Sequence, residues 1–344
     1  MAVPLALNAL VYLLHVATDF QISYDWKIVF QAALMSIAAF LILQRRNPAS
    51  MFGFVVLAFV FSANWQPGQK SFDTSRSFFG VHRVVNSSDG QYRLLFHGTT
   101  IHGVERTHNA NGTPVTGRAE PLVYYYRGGP ISETILVTRE TLNKPLSVAA
   151  VGLGAGSVAC YREQGENWTF FEIDPEVVRL ARDPERFRFL SSCAPDMRIV
   201  LGDARLTLSA SQEKYDVILL DAFSSDAIPA HLLTREAVAG YLARLKPKGI
   251  IVFHISNRHL ELSGIVAAVG AAEGMVAIHK YDSSAMNFAA DYKSSAHVAV
   301  LARTWADLAH LTKRKGWEPL AANGVTPWTD DYSDLISSMI RKKF

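Results

Sequence analysis

Cysteine is nearly absent from this chain: Cys160 and Cys193 are the only two among 344 residues. Neither a disulfide framework nor a cysteine-rich zinc site is expected, and Cys160 reads as a buried free thiol. An excess of charge is also lacking, with 34 Lys plus Arg against 31 Asp plus Glu. No basic tract carries interleaved aromatics, so no nucleic-acid partner is expected. The pattern Gly-x-x-x-x-Gly-Lys-Ser/Thr does not occur, which excludes that phosphate-cradling loop. His97 and His102 have no cysteine or acid at metal-ligand spacing, so they read as polar strand or loop histidines, and no metal is expected. There is no internal repeat.

What is present is a series of apolar runs that close on glycine or acid. Val148, Ala149, Ala150 and Val151 lead into Gly152, Gly154 and Gly156. Phe170 and Phe171 lead into Glu172, twenty residues past Gly152. Val200 and Leu201 lead to Asp203, and residues 217–220 lead to Asp221. Continuous apolar runs of this length are the mark of buried parallel strands. The segments between them read as helices: Pro175–Arg182, one capped by Thr234 and stopped at Pro247 and Gly249, and residues 262–272. Residues 250–255, 275–280 and 297–301 complete seven strands. Alternating strands and helices predict a doubly wound, Rossmann-like α/β sheet. Ligands of such sheets lie beyond the carboxyl ends of the strands. Glycines there let the backbone approach a nucleotide-type ligand, and a following acid accepts from ribose hydroxyls. A single strand-end Asp is most often a helix cap. Glu172, Asp203 and Asp221 together behind a glycine turn predict one shared site. His254 ends the fifth strand at the same edge.

The first 65 residues differ in kind. Residues 2–18, 28–43 and 51–65 are apolar runs, the second flanked by Lys27 and by Arg45 and Arg46. About 20 such residues span a bilayer, so two or three transmembrane helices are expected, with the second run the strongest candidate. Residues 80–140 alternate apolar and polar residues between turn signals, which predicts a small antiparallel β region. The expected division is 1–68 for the transmembrane segment and linker, 69–142 for the β region and 143–344 for the Rossmann-like catalytic domain.

Residues 78–335 resemble the spermidine synthases (polyamine aminopropyltransferases) in their bacterial membrane-anchored branch, on a class I S-adenosylmethionine-dependent methyltransferase-like fold. The motifs that carry this are residues 95–103, 121–126, the glycine turn, 172–174, 202–204, 221–229 and 328–332. The resemblance implies transfer of an aminopropyl group from decarboxylated S-adenosylmethionine to an amine such as putrescine, releasing methylthioadenosine. It assigns Glu172 to the ribose, Asp203 to the adenine amino group, and Gly152, Gly154 and Gly156 to the methionine-derived part. Asp221 matches the catalytic aspartate, Asp226 the second acid of the same loop, and Tyr124 or Tyr125 the tyrosine of the amine channel. No tightly bound cofactor is implied. The β region would cover the site and help form a homodimer, and the location would be the cell membrane with the catalytic domain on the cytoplasmic side. Several positions depart from the family pattern. Ala155 replaces an aspartate that binds the aminopropyl ammonium, His97 an aspartate, and Ile101 a glutamine, and the Asp221 loop is rearranged, with Phe223 between its two acids. A methyltransferase or other alkyl transferase on a small amine would use the same nucleoside pocket, and a membrane-tethered nucleoside- or polyamine-binding module would use it without turnover.

Overall fold

The computed structural model describes residue 52 and residues 71–98, 100–223, 229–257, 259–283 and 292–342. Apart from Phe52, the apolar runs expected to cross a membrane lie outside the described residues, as does Asp226. Among the described residues no helix is long and apolar enough to cross a membrane. The chain divides into two units, Met1–Lys70 and Ser71–Phe344. The second unit contains the glycine turn and the strand-end acids.

Two sheets organise this unit. The first is an antiparallel four-stranded sheet in sequential order, β1 (Ser71–Ser77), β2 (Gly80–Asn86), β3 (Tyr92–His97) and β4 (Thr100–Arg106). The second has eight strands. Its parallel part runs β7 (Arg198–Leu201), β6 (Asn167–Glu172), β5 (Ser147–Val151), β8 (Tyr215–Leu220) and β9 (Leu245–His254). Beyond β9 lie β11 (Ala296–Ala302), β10 (Val276–Asp282) and the two-residue β12 (Glu318–Pro319), all paired antiparallel. The doubly wound reading therefore holds. The sheet is mixed, and it gains a short edge strand beyond the seven expected.

The chain starts at β5, winds outward through β6 and β7, and returns to β8 on the other side of β5. The β5–β8 junction is thus where the winding reverses, and a ligand crevice opens at such a point. Every residue of β5 and β8 is buried. Phe170, Val217 and Ile251 have no exposed surface. Burying a side chain of this size stabilises the fold by about 1.5–3 kcal/mol.

Helix α2 (Pro175–Arg182) follows β6 with the expected bounds; Asp174 caps it and Pro175 opens it. Helix α5 (Arg235–Arg244) is capped by Thr234 and ends before Pro247, and α6 (Ser263–Ala272) lies between β9 and β10. Two expectations are corrected. The β region does not run to residue 140: α1 (Pro130–Leu142) closes that stretch, with Ile131, Ile135 and Thr138 buried and Asn143 as a left-handed C-cap. The signals were present, since Pro opens helices and the i, i+4, i+7 spacing marks one face. Helix α1 contacts β8, β9, β10 and β11, so it belongs to the large sheet.

The second correction concerns the cysteines. The glycine turn leads into a short 3-10 helix, Ser157–Tyr161, and Cys160 within it is disulfide-bonded to Cys193 at the end of α3 (Phe189–Cys193). Their Cα atoms are 4.9 Å apart. Spacing in the sequence carries no sign of this pairing. It arises because α3 packs on the glycine turn, where Gly156 faces Leu190.

Candidate active site

The glycine turn is shaped by what touches it. Gly152 has φ 91°, and a Cβ there would lie 2.3 Å from the Asp221 carbonyl oxygen. Gly154 would meet the His102 carbonyl at 2.7 Å. The turn is therefore pressed between the end of β8 and strand β4. Gly156 begins the 3-10 helix. Ala155 is fully buried, in an apolar cluster with Val84 and Leu95, and does not line the cavity.

Glu172 ends β6 and is buried. Its two carboxylate oxygens accept from the backbone N–H groups of Leu153 (2.8 Å) and Asp174 (2.9 Å). The Ile173 backbone also hydrogen-bonds this carboxylate, and the side chain lines the cavity. Burial pushes its pKa up, opposed by these backbone donors. Asp203 is both things the sequence allowed: it caps helix α4 (Ala204–Ala210) by accepting from Arg205 N–H at 2.8 Å, and it lines the cavity. His231 Nε2 stands 3.6 Å from its other oxygen.

Asp221 follows β8, with its side chain 6% exposed. One oxygen lies 2.6 Å from His254 Nδ1, and the other accepts from the Tyr125 hydroxyl. The Tyr124 ring lies tilted against His254, with ring centroids 4.4 Å apart, and against Tyr125 at 4.7 Å. Burial, then the Asp221 charge, pushes both phenols well above their ordinary value. Tyr124, Tyr125 and Tyr126 lie in a turn, not in a strand. Tyr124 and Tyr125 meet at Asp221, and neither is part of the cavity wall.

The cavity measures about 270 Å³ and is bounded by Gly152–Gly154, the ends of β6 and β8, and the first sheet. Its wall carries four carboxylates (Glu172, Asp174, Asp203 and Asp221), four histidines (His82, His97, His102 and His231), and no lysine or arginine among the described residues. No sequence motif points to His82, whose Nε2 bonds Asp174 at 2.8 Å. His97 stacks on His82 and bonds the Phe79 carbonyl at 3.0 Å. A shift in register between β3 and β4 goes with His102, rather than Ile101, on the cavity wall. Residues 328–332 act as a clamp: Trp328 is buried, and Asp330 accepts from Arg205 (2.7 Å) and Thr234 (2.9 Å).

Burial lowers His102 from 6.5 to about 4, and does the same to His297, beside His279. Between pH 6.5 and about 4 the unfolded chain binds protons that these buried rings refuse, so stability falls as pH falls through that window. The thermal midpoint, followed by circular dichroism, should drop from pH 6.5 to 4. A midpoint constant over this range would contradict the burial of these rings.

No family model matches the chain. It is 37% identical over 117 residues to a polyamine aminopropyltransferase of Vibrio vulnificus (strain CMCP6), covering 32% of this chain and 37% of that protein. It is 28% identical over 183 residues to a probable polyamine aminopropyl transferase of Bifidobacterium longum (strain NCC 2705), covering 52% and 36%. The similarity thus spans just over a third of each relative's length. Among solved structures, a probable spermidine synthase from Corynebacterium glutamicum ATCC 13032 superposes with TM-score 0.49 at 18% identity, over 76% of this chain and 98% of that one. Human methyltransferase-like protein 13 superposes with TM-score 0.39 at 19% identity, over 55% and 92%.

Proposed function

We propose that this chain is a transferase that moves the aminopropyl group of decarboxylated S-adenosylmethionine to a small amine such as putrescine, releasing methylthioadenosine. The observation that carries this reading is the cavity wall, with four carboxylates and no lysine or arginine among the described residues. A sulfonium bearing an ammonium, and a cationic amine, suit such a wall. The carboxylate of intact S-adenosylmethionine would meet no lysine or arginine among the described residues of that wall. The names of the two curated relatives support the same reading.

In this reading Glu172 takes the ribose hydroxyls, Asp203 the adenine amino group, and Gly152 and Gly154 underlie the aminopropyl arm, while Gly156 faces Leu190 and is off the cavity wall. The amine nitrogen forms its bond to the carbon next to sulfur. The carbon–sulfur bond breaks, its electrons going to sulfur to give a neutral thioether. Asp221 accepts the proton that the nitrogen sheds. Asp226 is assigned to the second cation, and Tyr125, with Tyr124 behind it, holds Asp221 at the mouth of the amine channel. The test is release of methylthioadenosine from decarboxylated S-adenosylmethionine with a panel of amines. Release only of S-adenosylhomocysteine from intact S-adenosylmethionine would establish methyl transfer in its place. Ala155, buried and off the cavity wall, is the observation that favours that second reading.

We extend the proposal to residues 1–68 as a multi-pass membrane anchor, with the catalytic unit facing the cytoplasm, where the substrate is made. Full-length protein that stays in the soluble fraction without detergent would remove the anchor. The Cys160–Cys193 disulfide is the observation against this side, since such a bond persists in oxidising compartments. The side is tested by protease digestion of membrane vesicles: loss of the catalytic unit only in inverted vesicles supports the cytoplasmic side, and loss in right-side-out vesicles overturns it.

A further inference from the structure

We infer that His254, held by Ser256, is the positioning residue for Asp221, fixing its carboxylate toward the amine through one directional line of hydrogen bonds. The inference rests on the alkyl-transfer reading above.

The line begins on the backbone of β11, where His297 N–H donates to Ser256 Oγ at 2.8 Å. Ser256 Oγ stands 2.9 Å from His254 Nε2, and His254 Nδ1 stands 2.6 Å from Asp221 Oδ1. An ionised carboxylate only accepts, so Nδ1 carries a proton, and in the neutral ring Nε2 then accepts from the serine hydroxyl. Donor follows donor from a backbone amide to the carboxylate. The ring cannot swing out of line. His254 is 4% exposed, and the Tyr124 and Phe223 rings lie 4.4 and 5.0 Å from it. The other oxygen of Asp221 is fixed by the Tyr125 hydroxyl. Tyr124 also hydrogen-bonds Asp221, and the carboxylate still lines the cavity, so it keeps a face toward the amine.

Serine, histidine and aspartate also stand in this order in hydrolytic triads, where the serine faces the substrate. Here the polarity is reversed. Asp221 lines the cavity, while His254 and Ser256 are absent from its wall. Ser256 is therefore the anchor of the line and not a nucleophile.

The test uses the full-length protein with decarboxylated S-adenosylmethionine and putrescine as probes. His254→Leu removes the donor to Asp221. A carboxylate misplaced by about 1 Å lowers turnover ~10²-fold. We expect that loss in kcat, with KM for decarboxylated S-adenosylmethionine and affinity for methylthioadenosine unchanged. His254→Asn, which offers an amide donor at the Nδ1 position, should restore most of the loss. Near-wild-type kcat in His254→Leu, or methylthioadenosine affinity falling in parallel with kcat, overturns the inference. If the wild type releases no methylthioadenosine, the transfer reading has failed, and nitrogen NMR of His254 then decides the positioning line on its own. The Nδ1–H tautomer, shifted by Ser256→Ala, supports the line, and the Nε2–H tautomer overturns it.

Discussion

Asp221→Asn should cut the rate of methylthioadenosine release by a factor of ~10²–10⁴, the usual cost of losing a general base. The substitution keeps the shape of the side chain and removes its charge. It also places an amide N–H₂ against either the Tyr125 hydroxyl or the His254 ring, both of which meet the carboxylate in the native site. Nucleoside affinity should survive, because Glu172 and Asp203 line the cavity independently of Asp221. Glu172→Gln should show the inverse pattern. It loses a charge-assisted acceptor worth about 1.5–3 kcal/mol, which lowers methylthioadenosine affinity ~10- to 100-fold. Calorimetry with methylthioadenosine and a release assay, run on both variants, separate binding from chemistry. Near-wild-type turnover in Asp221→Asn would exclude the base role.

Gly152→Ala should be strongly damaging. At φ 91° an alanine incurs the left-handed penalty of about 1–2 kcal/mol. Its Cβ would also stand 2.3 Å from the Asp221 carbonyl oxygen, which is backbone and cannot rotate away. Overpacking of this kind adds about 1–3 kcal/mol. Gly112→Ala is the control. That glycine has φ 78° and nothing within 4 Å of an added Cβ, so only the backbone penalty applies. Denaturant unfolding should rank Gly152→Ala well below Gly112→Ala, and only Gly152→Ala should lose methylthioadenosine binding. Equal losses in the two variants would mean that the turn is not pressed on β8 as described.

The positions of Glu172, Asp203 and Asp221 on one edge are legible in the sequence because each closes an apolar run. In a parallel sheet every such run ends on the same side. Helix α2 is legible to the residue, since Asp174 and Pro175 are local cap signals. Helix α1 is the counter-example. The alternation of residues 80–140 suggests strand throughout, although Pro130 and the Ile131, Ile135, Thr138 spacing carry the helical signal. The expectations for residues 1–68 and for Asp226 fall outside the described residues.

Local signals were enough for the winding of the sheet and the acid at each strand end, because periodicity and caps act over a few residues. What each acid faces depended on the folded arrangement. Asp174 meets His82 from 92 residues away, and Tyr125 meets Asp221 from 96. The Cys160–Cys193 bond and the line from His297 to Asp221 join elements of the chain that carry no local mark of each other. Contacts of this range are set by how β2, the turn at residues 124–126 and α3 pack against the large sheet and by the pairing of β11 with β9, and packing of that kind depends on the whole chain being folded.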